Sequence, residues 1–463
     1  MLKDPARGWG CALGLWALLA CTTAQADFQA ALKQFDAGHY EAARTEFLAL
    51  AALGNGNAQY NLGAMTLKGQ GSPANKGTGV GWLLAAAENG YHELPDDKLR
   101  SLKASLSEAE LHDAQQVLDV YGHDALLRTA LPSGNLQCPG LASDPPKPTN
   151  EPLHEFMTTH TGLILVAFTV GADGHLRDPE LGAVVSDMTA DAIAPLLFEP
   201  LFRAHWLPAT LNKVPIDRRI VSIVRPYKDQ SGAEWQKRQL VSLRAAAEAG
   251  DADAEYLFGR LEPIDPTHAN ESRVTNFTLL AAQAGHPAAA LQVARGFDNL
   301  SLCNKGDDPR KLPWLRYAVA AGEGSADLDL AQMLLSQQPS QDRLAQIKSL
   351  LQNAATTGGF HVKKHAVALL AASPVEAIRN PAISLAGAQA LSSGTIQSDP
   401  QMFEAVAAAQ AVNGNFAQAE AQQQAALTKA KALGWNTRFM KERLDSYRDK
   451  KAWYGDIFAM PAS

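Results

Sequence analysis

Glycines that close alanine-rich helical stretches recur along this chain at Gly54 and Gly90, then at Gly250, Gly285, Gly322, Gly358 and Gly394. The intervals are 36, then 35, 37, 36 and 36 residues. No other feature constrains the fold as strongly. A supersecondary unit repeated at such a period cannot hide its apolar face alone, so it must stack on copies of itself.

The residues around each glycine keep their columns. Four positions before stand Ala86, Ala246, Ala281, Ala318 and Ala354, and eight before stand Trp82, Phe277, Trp314 and Leu350, with Ser242 breaking the column. Four positions after come Ala58, Ala254, Ala289 and Ala326, and eight after come Leu62, Phe258, Val293 and Leu330. Nine after stand Gly63, Gly259, Ala294 and Ala331. At helical spacing these positions share one face. Small residues in fixed columns let helix axes approach, bulky ones fill the space between pairs, and the glycine suits a left-handed cap. The best copy, "NAQYNLGAMTLKGQG" followed by "GWLLAAAENG", resembles Sel-one-like repeats. Gly414, Phe416, Ala419 and Ala426, like Gly38, Tyr40 and Ala43, resemble tetratricopeptide units. The resemblance implies an α-solenoid of helix hairpins over residues 27–131 and 229–463.

Between these arms the pattern stops. Residues 132–150 are rich in Pro, Ser, Gly and Asn and read as a linker. Residues 151–228 then read as strand, strand, helix, strand. "GLILVAFTV" is apolar on both faces, "GADG" supplies a turn, "LGAVVS" returns, a helix follows with candidate cap Asp187 and internal Pro195 and Pro200, and Asp217 to Arg225 forms the last strand.

This block resembles the TonB C-terminal domain through Gly162, Phe168, Val170, Gly174, Val184, Val185, Ser186, Arg203, Trp206, Pro208, Ala209, Val214 and Arg219. The resemblance implies an α+β (β-β-α-β) insertion whose last strand accepts a partner's extended segment. It points to Arg218, Arg219, Val221, Ile223 and Arg225 as partner-binding, the arginines holding acidic residues. The competing reading is that the arginines only guard an edge against aggregation. The chain departs from the family's energy transducers. It lacks their membrane helix next to a motor, and "DPPKPTNEP" is only nine residues, roughly 30 Å if polyproline-like.

The first 26 residues read as a signal peptide. Lys3 and Arg7 precede a short apolar core, and Ala24-Gln25-Ala26 is a small-x-small cleavage site. This places the protein in a periplasm. The alternative is an envelope lipoprotein, since Leu18-Leu19-Ala20-Cys21 resembles a lipidation box with Cys21 as acceptor. Contact with a membrane is expected only if Cys21 is lipidated or the signal is uncleaved. In the mature chain Cys138 and Cys303 either pair as a disulfide or stand as separate thiols.

A formal net charge of -7 with mixed signs argues against nucleic acid. Chemistry is sparse. His361 and His365 are one helical turn apart, but Val362 stands where a zinc protease has Glu, so they read as exposed helix histidines. "GQGSPANKGTG" lacks the Gly-Lys-Ser/Thr ending of a phosphate loop, and no G-x-S-x-G occurs. Trp82, Trp206 and Trp314 read as core. No catalytic residue, cofactor or metal is expected. The reading is an exported, non-enzymatic scaffold for proteins or peptides. The alternatives are a component of a TonB-dependent energy-transduction system and an enzyme of unknown type.

Overall fold

Helix boundaries follow local chemistry. Asn55 opens the helix Gly56–Lys68 by accepting the Ala58 N–H at 2.7 Å, and Asn75 opens Lys76–Glu88 by accepting the Thr78 N–H at 2.8 Å. Gly54, Gly90, Gly250, Gly285 and Gly322 sit at φ between 83° and 105°, the left-handed conformation expected of them. Gly358 departs from that expectation. Its φ is -63° and its backbone is extended. Glycine is needed there for space, because a Cβ would lie 2.4 Å from the Ala354 carbonyl oxygen. Gly394 also lies outside the positive-φ set.

The computed structural model describes residues 28–132, 143–144, 146–149, 153–186, 188–261, 271–297, 308–337 and 339–458. Residues 1–26 with Cys21, both Cys138 and Cys303, and Asp187 lie outside them. The described chain is mainly helical with a few small sheets. No described helix is long and apolar enough to cross a membrane.

Helices pack mainly on a neighbour in sequence or on the next but one, as Lys76–Glu88 does on Glu108–Tyr121 and Phe360–Ala372 on Pro400–Val412. The repeating columns are the buried ones. Ala58, Leu62, Ala86, Ala281, Ala289, Trp314, Ala318, Ala326 and Ala354 are fully shielded. At Gly63 a Cβ would meet Leu83 at 2.8 Å, and at Gly259 it would meet the Thr278 amide at 2.8 Å, so these helix pairs approach closer than alanine allows.

The two helical segments share one core. Leu53, Leu126, Ala130 and Leu131 pack in the same cluster as Ala281, Trp314 and Ala318. Polar bonds mark the junction. Trp314 Nε1 donates to the Ala130 carbonyl at 2.6 Å, Asn55 Nδ2 to the Gln283 carbonyl at 2.5 Å, and Gln283 Nε2 to the Gly54 carbonyl at 3.1 Å.

Residues 151–228 hold a three-stranded antiparallel sheet. Gly162–Val170 is central, with Leu176–Ser186 on one side and Arg218–Val224 on the other. One face (Ile164, Val166, Phe168, Val170) packs on the helix Ala190–Arg203. That helix is capped by Thr189 and contains both Pro195 and Pro200. The other face (Leu163, Val185, Ile223) packs on Leu240, Leu243 and Leu261 of the following helices. Part of the expected linker joins this unit. Ser143–Asp144 pairs with Thr210 and Leu211, and Lys147–Pro148 pairs with Trp206 and Leu207.

The returning strand starts earlier than expected, at Leu176, because it absorbs two irregularities. Between Arg177 and Glu180 two residues, Asp178 and Pro179, face the single Phe168, and Asp178 takes φ 52°. Such a bulge tolerates a proline and turns side chains out of the regular alternation.

Replacing Trp314 with Ala is expected to cost about 3–5 kcal/mol. It should lower Tm by several degrees in thermal unfolding followed by circular dichroism. Val241→Ala, at a residue 63% exposed, should leave Tm nearly unchanged.

Candidate functional site

The last strand, Arg218–Val224, is an edge. The central strand pairs with its inner side, and no described strand pairs with its outer side. Val221 at its middle is 50% exposed and Tyr227 just beyond it is 51% exposed. Ile223 turns inward onto Leu240 and Leu243. Arg219 reaches across the sheet to pair with Glu180, so its charge is already engaged within the molecule. Arg218 makes no ion pair among the described residues. Arg225 is half-buried. Of the expected clamp, Val221 is exposed on one face of the strand, Arg218 is half-buried on the opposite face, and Arg219 is committed inward. Trp314 and Trp82 are buried, and Trp206 packs its ring 5.1 Å from Phe168.

The opposite edge is docked. The bulge at Asp178 turns its carboxylate onto the helix Phe360–Ala372. There Lys364 Nζ lies 2.8 Å, His365 Nε2 2.8 Å and His361 Nδ1 3.2 Å from Asp178 Oδ1. Lys364 is wholly buried and also bonds Asp399 at 2.7 Å and Gln401 at 3.1 Å. Burial alone would raise the Asp178 carboxyl. The Lys364 ammonium and the two imidazoles override it and hold that carboxyl well below the usual range. Two residues on, Glu180 joins Arg219 to Arg295, at 3.1 Å, and Arg295 pairs with Asp329 at 2.7 Å. Burial opposes the Glu180 charge as well, and the two guanidinium groups outweigh it and lower the pKa.

This overturns the reading of His361 and His365 as exposed. Their side chains are 13% and 18% exposed and face the inserted sheet. The sequence signal was present in their one-turn spacing, but the carboxylate between them comes from a strand 187 residues away from His365.

A cleft of about 780 Å³ lies where turns of the first helices meet turns of the later ones. Asn55, Asn89, Tyr91 and Glu93 line one side, and Asp251, Glu255, Gln283 and His286 line the other. Tyr91 stacks on Tyr60 at 4.3 Å, and His286 stacks on Tyr256 at 4.4 Å. Burial and then the nearby Asp251 push the Glu255 carboxyl up to about 7.

Folding therefore raises Glu255 above its unfolded value of about 4.3. Its contribution is complete below that value and is lost as pH rises through about 7. Glu255→Gln should escape that loss. The Tm of the variant minus that of the wild type should grow between about pH 5 and about pH 8, read by thermal unfolding across buffers.

No protein-family model matches this chain, and no curated protein matches it. Among solved structures, a protective antigen present in uropathogenic Escherichia coli strains and displaying an SLR fold aligns over 92% of this chain and 84% of its own. The identity is 14% and the TM-score 0.33, too low for the likeness to carry an argument about this chain.

Proposed function

We propose that this chain is an exported, non-enzymatic scaffold that binds extended protein segments. Its helix hairpins form a solenoid, and the inserted unit acts as a TonB C-terminal-like strand acceptor. The observation that carries the reading is the asymmetry of the inserted sheet. One edge is fixed to the helices by buried ion pairs, while the other has no strand paired to its outer side among the described residues and lies beside exposed Val221 and Tyr227. An outer edge of that kind takes a further strand through backbone hydrogen bonds, with side chains supplying selectivity. Arg218 gives the added segment an acidic preference. The cleft between the helical segments supplies a second polar surface for the same partner.

Export rests on residues 1–26, and a periplasmic setting follows from them together with the TonB resemblance. Energy transduction is the weaker reading, since the linker is too short to cross a periplasm. Trapping of the partner tests the proposal. A photo-crosslinking residue at position 227, in the full chain expressed in its native host, should give a discrete protein adduct. The pair Arg218→Glu with Val221→Lys should reduce its yield about tenfold or more, since like charge and loss of the apolar contact both oppose docking. Absence of an adduct, or one indifferent to the pair, would reject the edge as the binding surface. Mass measurement of the mature N-terminus separates a start at Asp27 from a lipidated Cys21.

A further inference from the structure

We propose that Asp178, His361 and His365 form a site for one divalent transition-metal ion of the zinc class, placed in the seam between the inserted sheet and the later helices.

The donor geometry carries this. Asp178 Oδ1, His361 Nδ1 and His365 Nε2 all lie within 4.8 Å of one another. Two of the separations are 2.8 Å and 3.2 Å. Ligands bound at about 2.0–2.1 Å to a tetrahedral ion stand about 3.3 Å apart, so the carboxylate already sits near ligand spacing from both imidazoles. Two imidazoles and a carboxylate form the donor set that zinc takes with three protein ligands and one open position.

Two further observations point the same way. His361 Nδ1 is buried and faces the carboxylate at 3.2 Å without the alignment of a good hydrogen bond. Asp178 holds a positive φ inside a bulge, a backbone state rare for a residue with a side chain, and that state aims its carboxylate at the helix. An entry path exists as well, since His361 also borders a cavity of about 460 Å³ lined by Glu180, Phe198 and Phe360.

Lys364 is the competitor, because its ammonium touches the same oxygen. It does not depend on that contact, for Asp399 and Gln401 hold it independently. Asp178 and Asp399 together carry one more negative charge than Lys364 supplies. Glu180 and Asp329 are matched by Arg219 and Arg295. The remaining negative charge of Asp178 faces the two imidazoles, which a bound cation would use as neutral donors. Glu180 is tied by two guanidinium groups and cannot serve as a base, so the ion would fasten the sheet to the helices without driving hydrolysis.

The test uses the tag-free full chain, stripped with chelator and titrated with zinc chloride and, separately, cobalt chloride. One zinc per chain should bind, and cobalt should give the visible absorption of a four-coordinate site with nitrogen and oxygen ligands. His361→Gln and His365→Gln should each weaken zinc binding more than about tenfold, with unchanged circular dichroism. Should one variant misfold, the other and the wild-type cobalt spectrum decide. Failure of the wild type to bind zinc stoichiometrically, or binding that survives both substitutions, would show a plain lysine–carboxylate seam and overturn the site.

Discussion

A hairpin built largely from alanine can hide its apolar stripe only against another hairpin, and it does so only if the helices come close. That requirement governs the whole molecule. Gly63 against Leu83 and Gly259 against the Thr278 backbone permit the approach, and Trp314 and Phe258 fill what the small residues leave open. Because the stacking surface is generic, the first group of hairpins meets the later group on the same terms as neighbours within a group. Leu126, Ala130 and Leu131 then pack with Ala281 and Trp314 in one core. The sheet-bearing stretch between them interrupts the chain without dividing that core.

The inserted sheet is held by a different kind of contact. Its face carrying Leu163 and Ile223 rests on apolar residues of the next helices, but its docked edge is polar. Lys364 with Asp178 and Asp399, and Arg295 with Glu180 and Asp329, are ion pairs taken out of water. Pairs of this sort add little net stability and tolerate few arrangements. They fix where the sheet sits, and so which of its two edges faces outward. Together with the apolar contacts on Leu240, Leu243 and Leu261, these pairs leave Arg218–Val224 as the outward edge.

Much of this was legible in the sequence because it is periodic and local. The alanine columns, the left-handed glycines and the strand Gly162–Val170 announce themselves within windows shorter than one repeat. What escaped was either irregular or distant. From the sequence alone the returning strand begins at Leu181, beyond Asp178-Pro179, because proline removes a ladder donor and only the bulge opposite Phe168 lets the strand run through it. His361 and His365 looked like a solvated pair because their carboxylate lies on another element. Arg219 looked available for a partner because Glu180, its actual counter-ion, sits across the sheet. Ser143–Asp144 and Lys147–Pro148 are too short to leave a pattern, although they tie the linker to the segment Trp206–Leu211 between the helix and the last strand.

The bond from Trp314 to the Ala130 carbonyl joins residues 184 positions apart. A chain emerging from the ribosome completes its first hairpins long before the residues that cover them exist. Until then the surface around Leu126 and Leu131 stays greasy and open, and a wrong neighbour that arrives early can occupy it. Assembly of this protein is therefore a matter of waiting. Its opening third has to be kept out of trouble until the later hairpins have been made.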